Sequence, residues 1–189
     1  MQPINYGFEE RLTMSNGYAT SVDVETVLLQ SIPGAVAVTK AAPVNDRQGV
    51  DFWVELSTAK HLAVDVKVRS EDWAAKHPNQ DDLALESWSV VENKVIGWTR
   101  DSKKKCDYIL WLWTDTGRFC LIPFPMLCCV FTNNWQDWRC RYKTCQQKTP
   151  KISGGYHSEC IFVPRKDLWR EIYKLYGGDG KLSEKAAVA

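Results

Sequence analysis

Apolar residues fall into short blocks along the chain, separated by polar, Gly- or Pro-containing stretches. In residues 22–31, Val24, Val27 and Leu28 recur at helical spacing, which predicts a helix capped by Asp23 or Ser21 and ended by Pro33-Gly34. A shorter helix is expected at residues 7–14. The next blocks are rich in valine and aromatics. Ala35–Lys40, residues 50–56 and His61–Arg69 read as strands, with a turn at residues 45–49 and a hairpin across residues 57–60. Residues 70–82 are charged and irregular around Pro78-Asn79. The segment from Asp82 to Glu86 fits either a helix or an extended strand, and both keep its two acids on one face.

Tyr108–Trp113 reads as a buried strand, with residues 118–122 as its partner across the Asp115-Thr116-Gly117 turn. Residues 123–131 are partly helical in character, and residues 132–155 are polar, basic and Trp/Tyr-containing, with no element assigned. A last strand is expected at residues 159–163. A last helix is expected at residues 167–176, where Leu168, Ile172 and Leu175 share one face. This order predicts an α/β fold with a central mixed β-sheet flanked by helices. A single domain over residues 1–177 and a disordered tail over 178–189 are expected.

The composition changes this picture in few places. Hydrophobic residues make up 44% and charged residues 25%, as in ordinary globular proteins. Nine tryptophans among 189 residues are unusual, and many of them should be buried or at an interface. A net charge of +1 argues against a purely electrostatic nucleic-acid binder. There is no apolar run long enough to span a bilayer and no signal-like beginning, so a cytoplasmic protein is expected. In that setting the seven cysteines are expected as free thiols or metal ligands rather than disulfides.

The chemistry concentrates on two neighbouring predicted strands, Gly49-Val50-Asp51-Phe52 and Ala63-Val64-Asp65-Val66-Lys67. Residues two apart in a strand point the same way, so Asp65 and Lys67 share a face while Val64, Val66 and Val68 occupy the other. If the strands pair, Asp51 lies beside Asp65. Two such carboxylates can hold a hard divalent cation, and an ammonium group can orient or deprotonate water or stabilise charge on phosphorus. The plainer reading is a salt-bridge cluster in an unrelated sheet protein.

Asp51, thirteen intervening residues and then Asp65-Val66-Lys67 resemble the D…(D/E)-x-K signature of the PD-(D/E)XK nuclease superfamily, over residues 20–115. Gly49-Val50-Asp51-Phe52 is similar to the family's first strand, although Val50 stands where the family name has Pro. The superfamily includes restriction endonucleases, Holliday-junction resolvases and phage nucleases. The resemblance implies a restriction endonuclease-like core, cleavage of DNA with Mg2+ or Mn2+, and a cytoplasmic setting in a bacterial or phage-infected cell. Asp51 and Asp65 would be metal ligands, and Lys67 would act on the water. The resemblance also implies a helix-borne acid, for which Glu25 is the matching position and Glu9 and Glu10 are rivals. Glu86 is a looser candidate for catalysis and metal binding; its alternative is a surface acid. A homodimer is implied by analogy with enzymes that cut two strands.

Two basic stretches would suit DNA: Lys103, Lys104 and Lys105 with Arg100, and Arg139, Arg141 and Lys143 with Lys148 and Lys151. Trp135, Trp138 and Tyr142 interleave the second stretch and could stack on bases, or could fold back onto the body of the protein. Cys140, Cys145, His157 and Cys160, spaced C-x4-C-x11-H-x2-C, could bind a structural Zn2+ or remain free thiols and a surface His. No G-x-S-x-G elbow or phosphate-binding P-loop is present. The second functional reading is a nuclease-fold module that grips nucleic acid or a protein without cutting, such as a phage anti-defence protein.

Overall fold

A computed structural model of the protein describes residues 23–46, 48–58, 60–149 and 155–175. The expected helix at residues 7–14, Glu9, Glu10, Ser21 and the tail at 178–189 lie outside them. The fold is mixed α/β with several helices, and it has two sheets where one central sheet was expected. The chain divides into two units. The described part of the first comprises residues 23–46, 48–58, 60–72 and 103–125, and that of the second comprises residues 73–102, 126–149 and 155–175.

The first unit opens with helix α1 (Val24–Ser31), whose N-terminus is capped by the Asp23 carboxylate accepting from the Thr26 backbone N–H at 3.0 Å. Strand β1 (Ala35–Lys40), the short helix α2 (Pro43–Asp46), β2 (Phe52–Leu56) and β3 (His61–Arg69) follow. After an excursion into the second unit, the chain returns as β6 (Tyr108–Trp113) and β7 (Phe119–Pro123). The sheet order is β1-β2-β3-β6-β7. All pairs are antiparallel except β3 with β6. A parallel pair cannot be closed by a tight turn, so the long connection between β3 and β6 is a geometric necessity. Val24 and Leu28 of α1 and Ile32 just after it form one buried cluster with Val54, Val64, Leu110 and Leu112, which fixes the helix on one face of the sheet.

The second unit contains α3 (Trp73–Lys76), β4 (Asp82–Val90), β5 (Val95–Ile96), a 3-10 turn at Trp98–Arg100, α4 (Phe124–Arg141), β8 (Thr144–Thr149), β9 (Tyr156–Pro164) and α5 (Arg165–Leu175). The unit boundary falls inside α4, after Pro125. The sheet order is β5-β4-β9-β8, with antiparallel pairing throughout. Asp82 to Glu86 is extended, because Leu83 and Leu85 alternate inward and the segment pairs residue by residue along β9. Helix α4 runs well past the expected end at residue 131, since Leu127, Phe131 and Trp138 continue one buried stripe through polar surroundings. Thr144–Thr149, where the sequence predicts no element, is a strand recruited by pairing with β9. Among the described residues no helix is long and apolar enough to cross a membrane.

The second unit is held internally by a buried acid. Glu159 is 1% exposed, and its carboxylate accepts two bonds from the Arg139 guanidinium at 2.9 Å and one each from Ser87 at 2.8 Å and Gln146 at 3.2 Å. A buried carboxylate needs such a full set of donors. Removing the guanidinium leaves the charge under-compensated, so Arg139→Ala is expected to cost about 2 kcal/mol or more of stability. Urea unfolding checks this, and a change within 0.5 kcal/mol (on the order of an ordinary surface substitution) would contradict it.

Candidate active site

Three of the predicted residues meet in the first unit. Asp65 lies at the centre of β3 and is 4% exposed. Lys67 follows on the same face, and its Nζ lies 2.5 Å from Asp65 Oδ1. In the parallel neighbour β6, Ile109 is in register with Asp65 and Trp111 with Lys67, and both are buried. The carboxylate and the ammonium group thus sit beside an apolar wall, where electrostatic interactions are strong and unmatched charge is costly.

Asp51 immediately precedes β2. Its backbone N–H donates to the Val64 carbonyl at 2.8 Å, and its carbonyl accepts from the Ala41 N–H at 2.8 Å. These bonds carry the ladder one residue beyond the strand and set Asp51 opposite Asp65. Its carboxylate accepts from the Val66 N–H at 2.6 Å. Burial, followed by the charge of Asp65, pushes the Asp51 carboxyl up to about 6, against the opposing effects of the Val66 N–H and Lys67. The two acids therefore form one coupled electrostatic site.

The floor of the site is pinned by the loop before β6. The Asp107 N–H donates to the Ala63 carbonyl at 2.7 Å, and the Asp107 carboxylate accepts from the Ala63 N–H at 2.8 Å. The Lys105 N–H donates to the Gln48 carbonyl at 3.0 Å. Cys106 between them is buried, and burial followed by the charge of Asp65 pushes its thiol up to about 12. Sequence reasoning passed over Asp107 and Cys106. Nothing in their local sequence signals them, because their importance comes from the parallel register of β3 and β6.

The other predicted acids are elsewhere. Glu25 is exposed in the first turn of α1, a helix that packs on the Val64 face of the sheet, and Asp65 faces the opposite way. Glu86 lies in the second unit on β4. Its carboxylate accepts from the Trp98 N–H at 2.9 Å and from the Ser89 hydroxyl at 2.8 Å, and so anchors the 3-10 turn.

The second basic stretch is largely occupied within its own unit. Arg139 serves Glu159, Arg141 pairs with Asp137 at 2.8 Å, and Lys143 lies over the Phe162 ring. The interleaved aromatics fold back. Trp138 is buried, Tyr142 donates to Asp167 at 2.9 Å, and Trp135 and Trp88 both stack against the Arg100 guanidinium. Of the first stretch, Lys103 and Lys105 are exposed and Lys104 is half-buried.

The four residues of the expected zinc set are not gathered. Cys145 faces Cys160 across β8 and β9, while His157 sits three residues along β9 with its Nδ1 at 2.5 Å from Glu92, and Cys140 is exposed on α4. Among the described residues no group of three or more His, Cys, Asp or Glu side chains is arranged to hold a metal ion. The Asp51–Asp65 pair is a two-carboxylate site. That suits Mg2+, which keeps several waters and takes its remaining ligands from substrate phosphate.

The raised proton affinity of Asp51 has a sign that can be checked. The folded state holds this proton more tightly than the unfolded chain, so stability falls as pH rises from about 4 to about 6 and stays lower above. The size of the effect is about 2–3 kcal/mol at most. Asn keeps an acceptor for the Val66 N–H and carries no charge. Asp51→Asn is therefore expected to be more stable than the parent at pH 8 in EDTA and to gain nothing from Mn2+. Thermal melts with and without metal measure both, and a less stable Asp51→Asn protein at pH 8 would contradict the electrostatic account. No family model, curated protein or solved structure matches the chain.

Proposed function

We propose that the chain is a metal-dependent nuclease that hydrolyses phosphodiester bonds in DNA through Asp51, Asp65 and Lys67, built on a restriction endonuclease-like core. The observation that carries this reading is the convergence of two carboxylates from adjacent strands with a lysine two residues after the second. The mixed sheet beneath them, with α1 on its reverse face, supports the same reading.

A structural salt-bridge cluster would compensate its acids fully, as Glu159 is compensated. Here burial and mutual repulsion raise Asp51 despite Lys67, which is what a pair kept for an added cation would show. A divalent cation held by Asp51 and Asp65 supplies charge neutralisation at the phosphate and a lowered pKa for water. Lys67, anchored on Asp65, is placed to orient the attacking water by hydrogen bonding. An oxygen–phosphorus bond forms from water, the bond to the leaving oxygen breaks, and a proton passes to that oxygen. Above pH 6 Asp51 is ionised, so cation binding is expected to strengthen through that range.

The test is incubation with plasmid, linear and branched DNA in Mg2+, Mn2+ or EDTA. Cutting is expected only with metal. Asp65→Ala should lower the rate by a factor on the order of a hundred or more while leaving DNA binding in place. If no substrate is cut and DNA binding ignores metal, the enzyme reading fails in favour of a binding module.

A further inference from the structure

Resting on the nuclease reading, we propose that Lys104, rather than either neighbouring lysine, is a phosphate-binding residue of the Asp51–Asp65–Lys67 site, and that Gly49 is required because the Lys104 side chain crosses it.

Gly49 has φ +76°, a conformation that already favours glycine. A Cβ added there would lie 2.8 Å from Lys104 Cδ, 3.4 Å from its Nζ and 3.5 Å from its Cε. The lysine stem therefore runs over the bare Cα of a residue two positions before Asp51. The backbone around Lys104 is fixed to the turn before Asp51 by Lys105 on Gln48 and to β3 by Asp107 on Ala63. The side chains of Lys103 and Lys105 are exposed, whereas that of Lys104 is half-buried. The buried Cys106, two residues after Lys104, feels the charges of Asp65, Lys67 and Lys104, which puts Lys104 in the electrostatic neighbourhood of the pair.

The chemistry beside the acidic pair calls for a second ammonium group. Lys67 is engaged with Asp65, and a divalent cation would be shared between two carboxylates. An incoming phosphodiester adds another negative charge. Lysine is an effective point-charge partner for phosphate, and a stem laid along the backbone loses less freedom on binding than one extended into solvent. The ligand class is the phosphodiester backbone of a nucleic acid, recognised without reading its bases.

The experiment compares the full-length parent with Lys104→Ala, Lys103→Ala, Lys105→Ala, Gly49→Ala and the distant exposed control Lys60→Ala. Binding of a labelled DNA duplex is measured in Ca2+ over a range of salt, cutting in Mg2+, and Mn2+ binding without DNA by calorimetry. Lys104→Ala is expected to weaken duplex binding about tenfold and to reduce the salt slope by about one, with Mn2+ binding unchanged. Gly49→Ala should show the same pattern, because its Cβ displaces the lysine. Lys103→Ala and Lys105→Ala should lose less, and Lys60→Ala should lose nothing. A thermal melt accompanies Gly49→Ala; if it unfolds, Lys104→Ala alone decides. Binding and cutting within twofold of the parent for Lys104→Ala, or equal losses for all three consecutive lysines, would overturn the proposal. A parent that cuts nothing, with duplex binding still lost selectively in Lys104→Ala, would remove the nuclease reading and keep the phosphate role. A parent that binds no duplex would remove both.

Discussion

Two carboxylates set side by side on adjacent strands cannot both hold a full charge in a partly buried place unless something positive joins them. That constraint organises the first unit. Asp65 is placed at the centre of β3, with β6 parallel beside it and β2 antiparallel on the other side. Asp51 enters because the β2 ladder runs one residue past the strand and brings it opposite Asp65. Lys67 relieves part of the repulsion and the Val66 N–H a further part, yet Asp51 is still pushed up to about 6. The protein keeps an electrostatic deficit where a sheet could equally have carried valine.

The buried acids that do structural work look different. Glu159 in the second unit receives a bidentate guanidinium, a hydroxyl and an amide. Asp72 in the first unit is 1% exposed and takes Nε and Nη2 of Arg118 at 2.6 and 2.7 Å, with the Thr116 hydroxyl at 3.1 Å. Each of these carboxylates has donors for both oxygens, as burial demands. Asp51 has one backbone N–H and a like-charged neighbour. Saturation of the lone pairs, more than burial, separates Glu159 and Asp72, which hold the fold, from the Asp51–Asp65 pair.

The same reasoning redistributes the basic residues. Arginine is well suited to bidentate ion pairs, and Arg118 and Arg139 are engaged in them, with Arg141 in a simpler surface pair. Among the lysines before β6, Lys104 lies across Gly49, two residues before Asp51. A charge count along the chain treats all of these residues as equivalent, whereas the fold separates them into braces and candidates for a ligand.

The local sequence determined much of the site. Alternation in Ala63-Val64-Asp65-Val66-Lys67 places Asp65 and Lys67 on one face whatever the fold, because a strand has a period of two. The valine- and aromatic-rich blocks specified β1, β2, β3 and β6, and the Asp23 cap with the Val24, Val27 and Leu28 face specified α1. Other features depended on partners distant in the chain. β8, five polar residues and Cys145, has no pattern of its own and is extended because β9 offers its edge. Glu86 and Glu25 have the right charge, but strand and helix packing send them elsewhere. Asp107, Cys106 and Lys104 join the site only because β6 runs parallel to β3 and returns the loop before it to Gln48 and Ala63. Short-range periodicity fixes which way a side chain points, while the long crossover between β3 and β6 fixes what it meets.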